Sequence, residues 1–125
     1  DQLLGFFVGW IREFEKHYSK VTVTALCAPH KNWFRLLFRI FWQVPRHDAV
    51  FVHMAPIFAV IAGPWAWLWG KRIGLWYTHK AVTWKLRLAE KLVDVIFTAS
   101  PESFRLPSKK LIITGHGIDT DLFTP

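Results

Sequence analysis

Residues 73–80 read Ile73-Gly74-Leu75-Trp76-Tyr77-Thr78-His79-Lys80, a short apolar and aromatic run that stops abruptly at a histidine and a lysine. A run of this length, apolar at nearly every position, is expected of a strand buried on both faces. Three other stretches have the same form. Residues 49–52 end in His53, residues 95–99 end in Ser100, and residues 111–114 end in Gly115 and His116. If these are parallel strands of one sheet, their polar ends share the carboxyl edge, where open α/β sheets bind ligands.

Between these runs lie helical patterns. Residues 82–92 place Trp84, Leu88 and Leu92 on one stripe and Lys85, Arg87, Glu90 and Lys91 elsewhere, the pattern of an amphipathic helix. Ser100 followed by Pro101 reads as an N-cap and first helical position of a short helical turn. Residues 106–110 form a basic loop in which Lys109 and Lys110 are read as solvated charges. Upstream, residues 49–70 contain one polar side chain, His53, within a run long enough to raise a membrane-spanning helix. The β-branched start, Pro56, and the Gly63-Pro64 pair argue instead for a strand, a turn over residues 53–56, and a hydrophobic helix that bends at Pro64.

Residues 32–44 are basic and densely aromatic, with Arg35 and Arg39 on one face and Trp33, Leu37, Ile40 and Phe41 on another. Such a helix suits either the flank of a sheet or an anionic membrane interface. Residues 21–26, Val-Thr-Val-Thr-Ala-Leu, alternate and are β-branched, so a strand is expected. Residues 3–18 repeat Leu3, Phe7, Trp10, Phe14 and Tyr18 at helical spacing, and Gly5 and Gly9 mark where another backbone could approach. Strands alternating with helices imply βαβ units and a mostly parallel sheet in the α/β class.

Composition sets the remaining bounds. The chain has 125 residues, 52% of them hydrophobic, which makes one small domain or part of a larger one, and excludes a disordered chain. Eight tryptophans exceed what so small a core needs and point to a face that meets lipid, a partner or another domain. The formal charge of +7 favours anionic partners such as phosphates, nucleic acid or an anionic membrane surface. The single cysteine, Cys27, excludes an internal disulfide and fits a reducing compartment. No secretory signal pattern opens the chain, and its first residue, Asp1, leads us to expect a removed N-terminal segment or a piece of a longer sequence.

Four segments in order carry a resemblance. They are His47-Asp48-Ala49-Val50-Phe51-Val52-His53, the strand ending Trp76-Tyr77-Thr78-His79, the stretch Glu90-Lys91-Leu92-Val93-Asp94-Val95-Ile96-Phe97-Thr98-Ala99-Ser100, and Gly115-His116-Gly117-Ile118-Asp119 followed by Leu122-Phe123-Thr124-Pro125. Together they resemble the N-terminal half of a GT-B glycosyltransferase of family 4 (group 1), over nearly the whole chain. The resemblance implies a Rossmann-like, mostly parallel sheet flanked by helices. It implies one acceptor-side domain over residues 1–125, lacking the family's first strand with its glycine-rich loop and the C-terminal donor domain with its acidic pair. It further implies retaining transfer of a hexosyl group from a nucleotide-sugar to a glycan or lipid-linked acceptor of the cell envelope. That activity needs no metal and no cofactor beyond the donor substrate. The location would be cytoplasmic, peripheral on the inner membrane face, and a chain with one domain is not expected to catalyse alone.

By the same resemblance His79 is the catalytic residue at the cleft. His53, His116, Gly117 and Asp119 match substrate-binding positions, although the family often has Asn where this chain has His116, and Lys80 and Ser100 at the same strand ends are expected to bind substrate with them. Taken by their chemistry, histidines at strand ends can be ordinary hydrogen-bonded loop residues. Three on one edge, one followed by Lys80, tilt toward an anionic ligand. A metal site from His53, His79 and His116 is conceivable by residue type, but the spacing gives it no support. The Gly115–Gly117 turn can also exist only to allow positive φ. No Ser-His-Asp arrangement, P-loop or zinc motif is present. The competing classes are a non-catalytic basic module for nucleic acid or an anionic membrane, and a small protein anchored by residues 49–70. Most aromatics fall at core-like periodicities, which argues against nucleic acid as a partner.

Overall fold

The computed structural model describes residues 2–24 and 32–115, with side chains described from residue 8 onward. They belong to two compact units, Asp1–Leu36 and Leu37–Pro125. The first holds α1 (Gln2–His17), whose aromatic stripe meets as expected: Trp10 and Phe14 pack edge to face at 6.3 Å, and Phe14 meets Tyr18 at 6.2 Å. A Cβ at Gly9 would meet nothing within 4 Å, so no close backbone approach explains that glycine. Residues 21–24 are not a strand, which corrects the expectation for 21–26; residues 25 and 26 lie outside those described. Alternation of β-branched residues fits a chain to a pleated surface, but a strand also needs a partner edge. The helix α2 (Trp33–Gln43) opens with Asn32 as its cap, Oδ1 accepting from Arg35 N at 3.0 Å.

The second unit is an α/β layer. Its strands are β1 (Ala49–His53), β2 (Arg72–Trp76), β3 (Val95–Thr98) and β4 (Leu111–Ile113), joined through α3 (Pro56–Leu68) and α4 (Trp84–Leu92). The four strands pair in sequence order, all parallel. A Rossmann-like α/β fold is therefore present, and the polar ends of the strands do share one edge. β2 is the interior strand with the least exposure, Leu75 being fully buried between Val52 and Ile96 in register. Val52, Ile73, Leu75, Ile96 and Thr98 are buried on one face, as a period of two requires. On the other, Gly74 leaves room for Phe51 and Phe97, whose rings meet at 6.4 Å.

Helix α3 packs on β1, β2 and α4 through a stripe of small residues, Ala59, Ala62, Gly63 and Ala66. The helix runs on through Pro64, which is exposed, so the expected bend does not end it. It stops in a Schellman turn: Lys71 N donates to Ala66 O at 2.7 Å, Gly70 N donates to Trp67 O at 3.2 Å, and Gly70 has φ +65°. On α4 the buried residues are Leu86 and Ala89, while Trp84 and Leu88 are exposed, which overturns the stripe read through Trp84 and Leu88. Thr83 begins the helix later than the apolar spacing implied, its Oγ1 accepting from Leu86 N at 3.2 Å. Likewise the buried positions of α2 are Leu36 and Ile40, with Val44 just beyond its end, leaving Trp33, Leu37 and Phe41 partly exposed. Lys110 is no free solvated charge: its Nζ donates to Glu90 O at 2.6 Å and caps the end of α4.

Two hydrogen bonds lock β3 beside β2. Ile73 N donates to Asp94 Oδ2 and Asp94 N donates to Ile73 O, both at 2.8 Å. Replacing Asp94 by Ala should lower unfolding free energy by about 1 kcal/mol, whereas Asp94→Asn, which keeps an acceptor oxygen, should lose less than half of that. Urea titrations of both variants check this, and equal losses would contradict it. At Gly63 an added Cβ would stand 2.8 Å from Leu92 Cβ. Gly63→Ala should therefore cost about 1–3 kcal/mol from overpacking, outweighing the gain of ~1 kcal/mol in helix propensity. A raised denaturation midpoint would show that the two helices do not approach this closely.

Candidate functional site

The site begins where β1 ends. Met54, just past His53, has φ +60°, a left-handed conformation that costs a non-glycine residue on the order of 1 kcal/mol. It is held by its neighbours: Met54 N donates to Trp76 O at 2.7 Å, and its Sδ accepts from Thr78 N at 3.4 Å and Thr78 Oγ1 at 3.3 Å. The turn ties the carboxyl ends of β1 and β2 together and points the chain into α3, with Pro56 in its first turn.

Beyond β2 the chain leaves the sheet through Tyr77, whose N donates to Phe97 O at 3.0 Å. The Tyr77 ring is buried against the edge of Phe104 at 6.1 Å, and its hydroxyl donates to Ala81 O at 3.0 Å. Burial pushes that phenol's pKa up, so it stays a neutral donor. Ala81 N donates to Nδ1 of His79 at 3.1 Å. In the neutral ring the proton is therefore on Nε2, leaving an N–H donor on the far side of an exposed imidazole. Tyr77 and His79 thus fix the two ends of one tight loop, which leads into the Thr83 cap of α4.

These pieces border a cavity of about 350 Å³ at the carboxyl ends of β1 and β2. Its floor is Met54, Pro56, Ile57 and Tyr77, and its polar wall is His79, Thr83 and Lys85. Among the described residues no carboxylate lines it, and α3 and α4 both start at its rim, so its field favours an anionic or electron-rich ligand. Chemically the wall offers a fixed N–H, a hydroxyl and an ammonium over an apolar floor.

Of the described residues expected to form the site, His79 is the one that lines this cavity. His53 is half-buried at the end of β1, in register with Trp76. Lys80 is exposed on the loop beside His79. Ser100 sits at the start of a 3-10 turn (Pro101–Ser103), its Oγ within 2.8 Å of Ser103 Oγ, so it serves the local turn after β3. Gly115 has φ +74°, the conformation expected for that glycine. His116, Gly117 and Asp119, and Cys27, lie outside the described residues. Met54, Tyr77, Thr83 and Lys85 were not singled out. A polar residue before Pro56 marked the turn but not which side chain would pin it, and Lys85 looked like one more charge on a helix. Among the described residues no three His, Cys, Asp or Glu side chains converge on a point that could hold a metal ion.

Compared with protein-family models, curated proteins and solved structures, the chain matches none. What stands is the class the fold defines, an α/β chain with a parallel sheet and a cleft at its carboxyl edge.

Burial holds the His53 pKa below its ordinary value of 6.5. As pH falls through that value the unfolded chain takes up the proton first, so folding stability falls. His53→Gln removes this contribution and should give a shallower loss of denaturation midpoint between about pH 7 and pH 5. Parallel profiles for the two proteins would show that the ring titrates as it does in the unfolded chain.

Proposed function

We propose that the chain is the acceptor-side domain of a retaining GT-B glycosyltransferase, working with a nucleotide-sugar donor on a glycan or lipid-linked acceptor. The observation that carries this is the cavity at the carboxyl ends of β1 and β2, with His79 on its wall at the strand end where the family resemblance puts a cleft histidine. In the transfer the anomeric C–O bond to the nucleotide diphosphate breaks and a new C–O bond to an acceptor hydroxyl forms on the same face. The hydroxyl proton passes to the departing phosphate oxygen. Nε2–H of His79 donates a hydrogen bond near the transferring sugar, and Lys85 adds positive charge where the phosphate charge grows. The apolar floor of Met54 and Ile57 seats the sugar ring or the first carbons of a lipid-linked acceptor. The donor is held by a second domain of the same longer chain.

The test is transfer of radiolabelled sugar by the full gene product. UDP-glucose, UDP-N-acetylglucosamine and GDP-mannose are offered in turn to membrane extract carrying polyprenyl-linked acceptors. One donor should label the lipid phase, and His79→Ala should cut turnover by about 100-fold with a smaller change in KM. The loss for Lys85→Ala should be about 10-fold and larger in KM. No labelling with any donor, or wild-type turnover in His79→Ala, would overturn the assignment.

A further inference from the structure

The far end of α3 carries a second feature that the cleft does not use. Pro56 lines the cavity, and Leu68 closes the helix twelve residues later, about 18 Å away. There Trp67 is 83% exposed, Leu68 60% and Trp69 47%. The Schellman turn at Gly70 reverses the backbone just past them, so these side chains stand at an outer corner. The same helix also meets α2: Trp65 lies edge to face with Phe41 at 4.8 Å, and on α2 Phe38 and Trp42 are exposed and stacked at 6.3 Å. Large exposed aromatics on two adjoining helices form an apolar patch of a kind that marks an interaction site.

Its charge is one-sided. Arg46 lies over the Trp42 ring at 3.9 Å, and Arg39 is exposed between Phe38 and Trp42 in sequence. Lys71 and Arg72 follow the α3 corner directly, and from residue 32 to residue 89 the one acidic residue is Asp48. Rings flanked by cations match a surface with an apolar interior and an anionic outer layer. Tryptophan settles at such boundaries, and arginine and lysine near them pair with lipid phosphates.

We infer that this corner is an interfacial docking surface for a bilayer containing anionic phospholipid. A second copy of the chain is disfavoured because a self-complementary contact would bring the same cations together. Spanning is excluded for α3, whose 13 residues cover about 20 Å against the roughly 30 Å of a hydrocarbon core. Among the described residues no helix is long and apolar enough to cross a membrane. The inference uses no residue of the cleft and stands apart from the glycosyl-transfer proposal.

Co-sedimentation with extruded vesicles tests it, comparing phosphatidylcholine alone with phosphatidylcholine mixed with phosphatidylglycerol. The wild-type chain should partition about 10-fold more strongly onto the mixed vesicles, less so as salt is raised. Trp67→Ser/Leu68→Ser should lose about 10-fold of that binding, and Arg39→Glu/Lys71→Glu should lose the preference for phosphatidylglycerol. Circular dichroism and denaturation midpoints identify a variant that fails to fold, in which case Phe38→Ser/Trp42→Ser on the other helix carries the same expectation. Equal binding to both vesicle types, or wild-type binding by the folded variants, would overturn the inference. So would a dimer dissolved by Trp67→Ser, which assigns the corner to a second copy, or tight binding of a single-stranded oligonucleotide lost in that variant, which assigns it to nucleic acid.

Discussion

The pair of hydrogen bonds between Ile73 and Asp94 is the constraint on which the second unit depends. A parallel sheet needs each new strand to enter beside its neighbour after a long crossover, and the hydrophobic pattern fixes the face each residue takes but not the contact that anchors the pairing. Asp94 sets it. Its carboxylate and its amide take both backbone groups of Ile73 at the start of β2, one residue before β3 begins. Gly74 is then opposite Val95 and Leu75 opposite Ile96. A slip by one residue would turn the fully buried Ile96 and Thr98 to the other face. Because β1 pairs with β2 from Ala49 opposite Arg72, the same fixed point propagates to His53, opposite Trp76. The position of the cavity thus follows from a polar contact at the opposite edge of the sheet.

That propagation explains why the cleft is built from backbone strain and small caps as much as from charged side chains. Once His53 and Trp76 are level, the chain must leave β1 within a residue or two to start α3. Met54 does so by adopting a left-handed conformation, offset by three hydrogen bonds to the end of β2. The loop after β2 faces the same problem and solves it differently. Tyr77 and His79 both bond to Ala81, closing a turn that delivers the chain to the Thr83 cap. The imidazole tautomer is a by-product of that closure, which leaves an N–H on the far side of the ring.

Much of this was legible in the sequence, and the misses have identifiable physical causes. The strands were readable because short apolar runs leave almost no polar positions, and their parallel pairing followed from the alternation with helices. Helix faces were less legible. Trp84 and Leu88 look like a core stripe beside Leu92, yet Leu86 and Ala89 are buried, because α3 presents Gly63 to Leu92 and small residues elsewhere. Apolar periodicity fixes that a helix is amphipathic, while the partner's shape decides which of two adjacent stripes goes in. Residues 21–24 alternate as well as any strand and are not one, since pairing is a property of two segments. At the cavity, the histidine in the loop after β2 was readable from its place beyond an apolar run, and it does line the space. Met54 and Lys85 were not, because a strained turn and one lysine among several on a helix have no composition of their own.

Helix α3 joins these two kinds of surface, and its sequence shows why it can. A helix that packs through large side chains spends its apolar residues on the core. This one packs through Ala59, Ala62, Gly63 and Ala66, which let the backbone lie close to β1, β2 and α4. Its bulky residues are thereby released to its ends and outer side. At the start, Pro56 and Ile57 floor the cavity; at the finish, Trp67, Leu68 and Trp69 stand in solvent beside Lys71 and Arg72. Exposing that much aromatic area is unfavourable for a free chain. Ending the helix a turn earlier would remove that exposure without touching the cavity, at the loss of Ala66 from the small-residue stripe. The Schellman turn at Gly70 instead fixes the corner rigidly and places the first cations one and two residues beyond it. Rings held next to cations are not explained by core packing and suit the anionic boundary we propose for this corner.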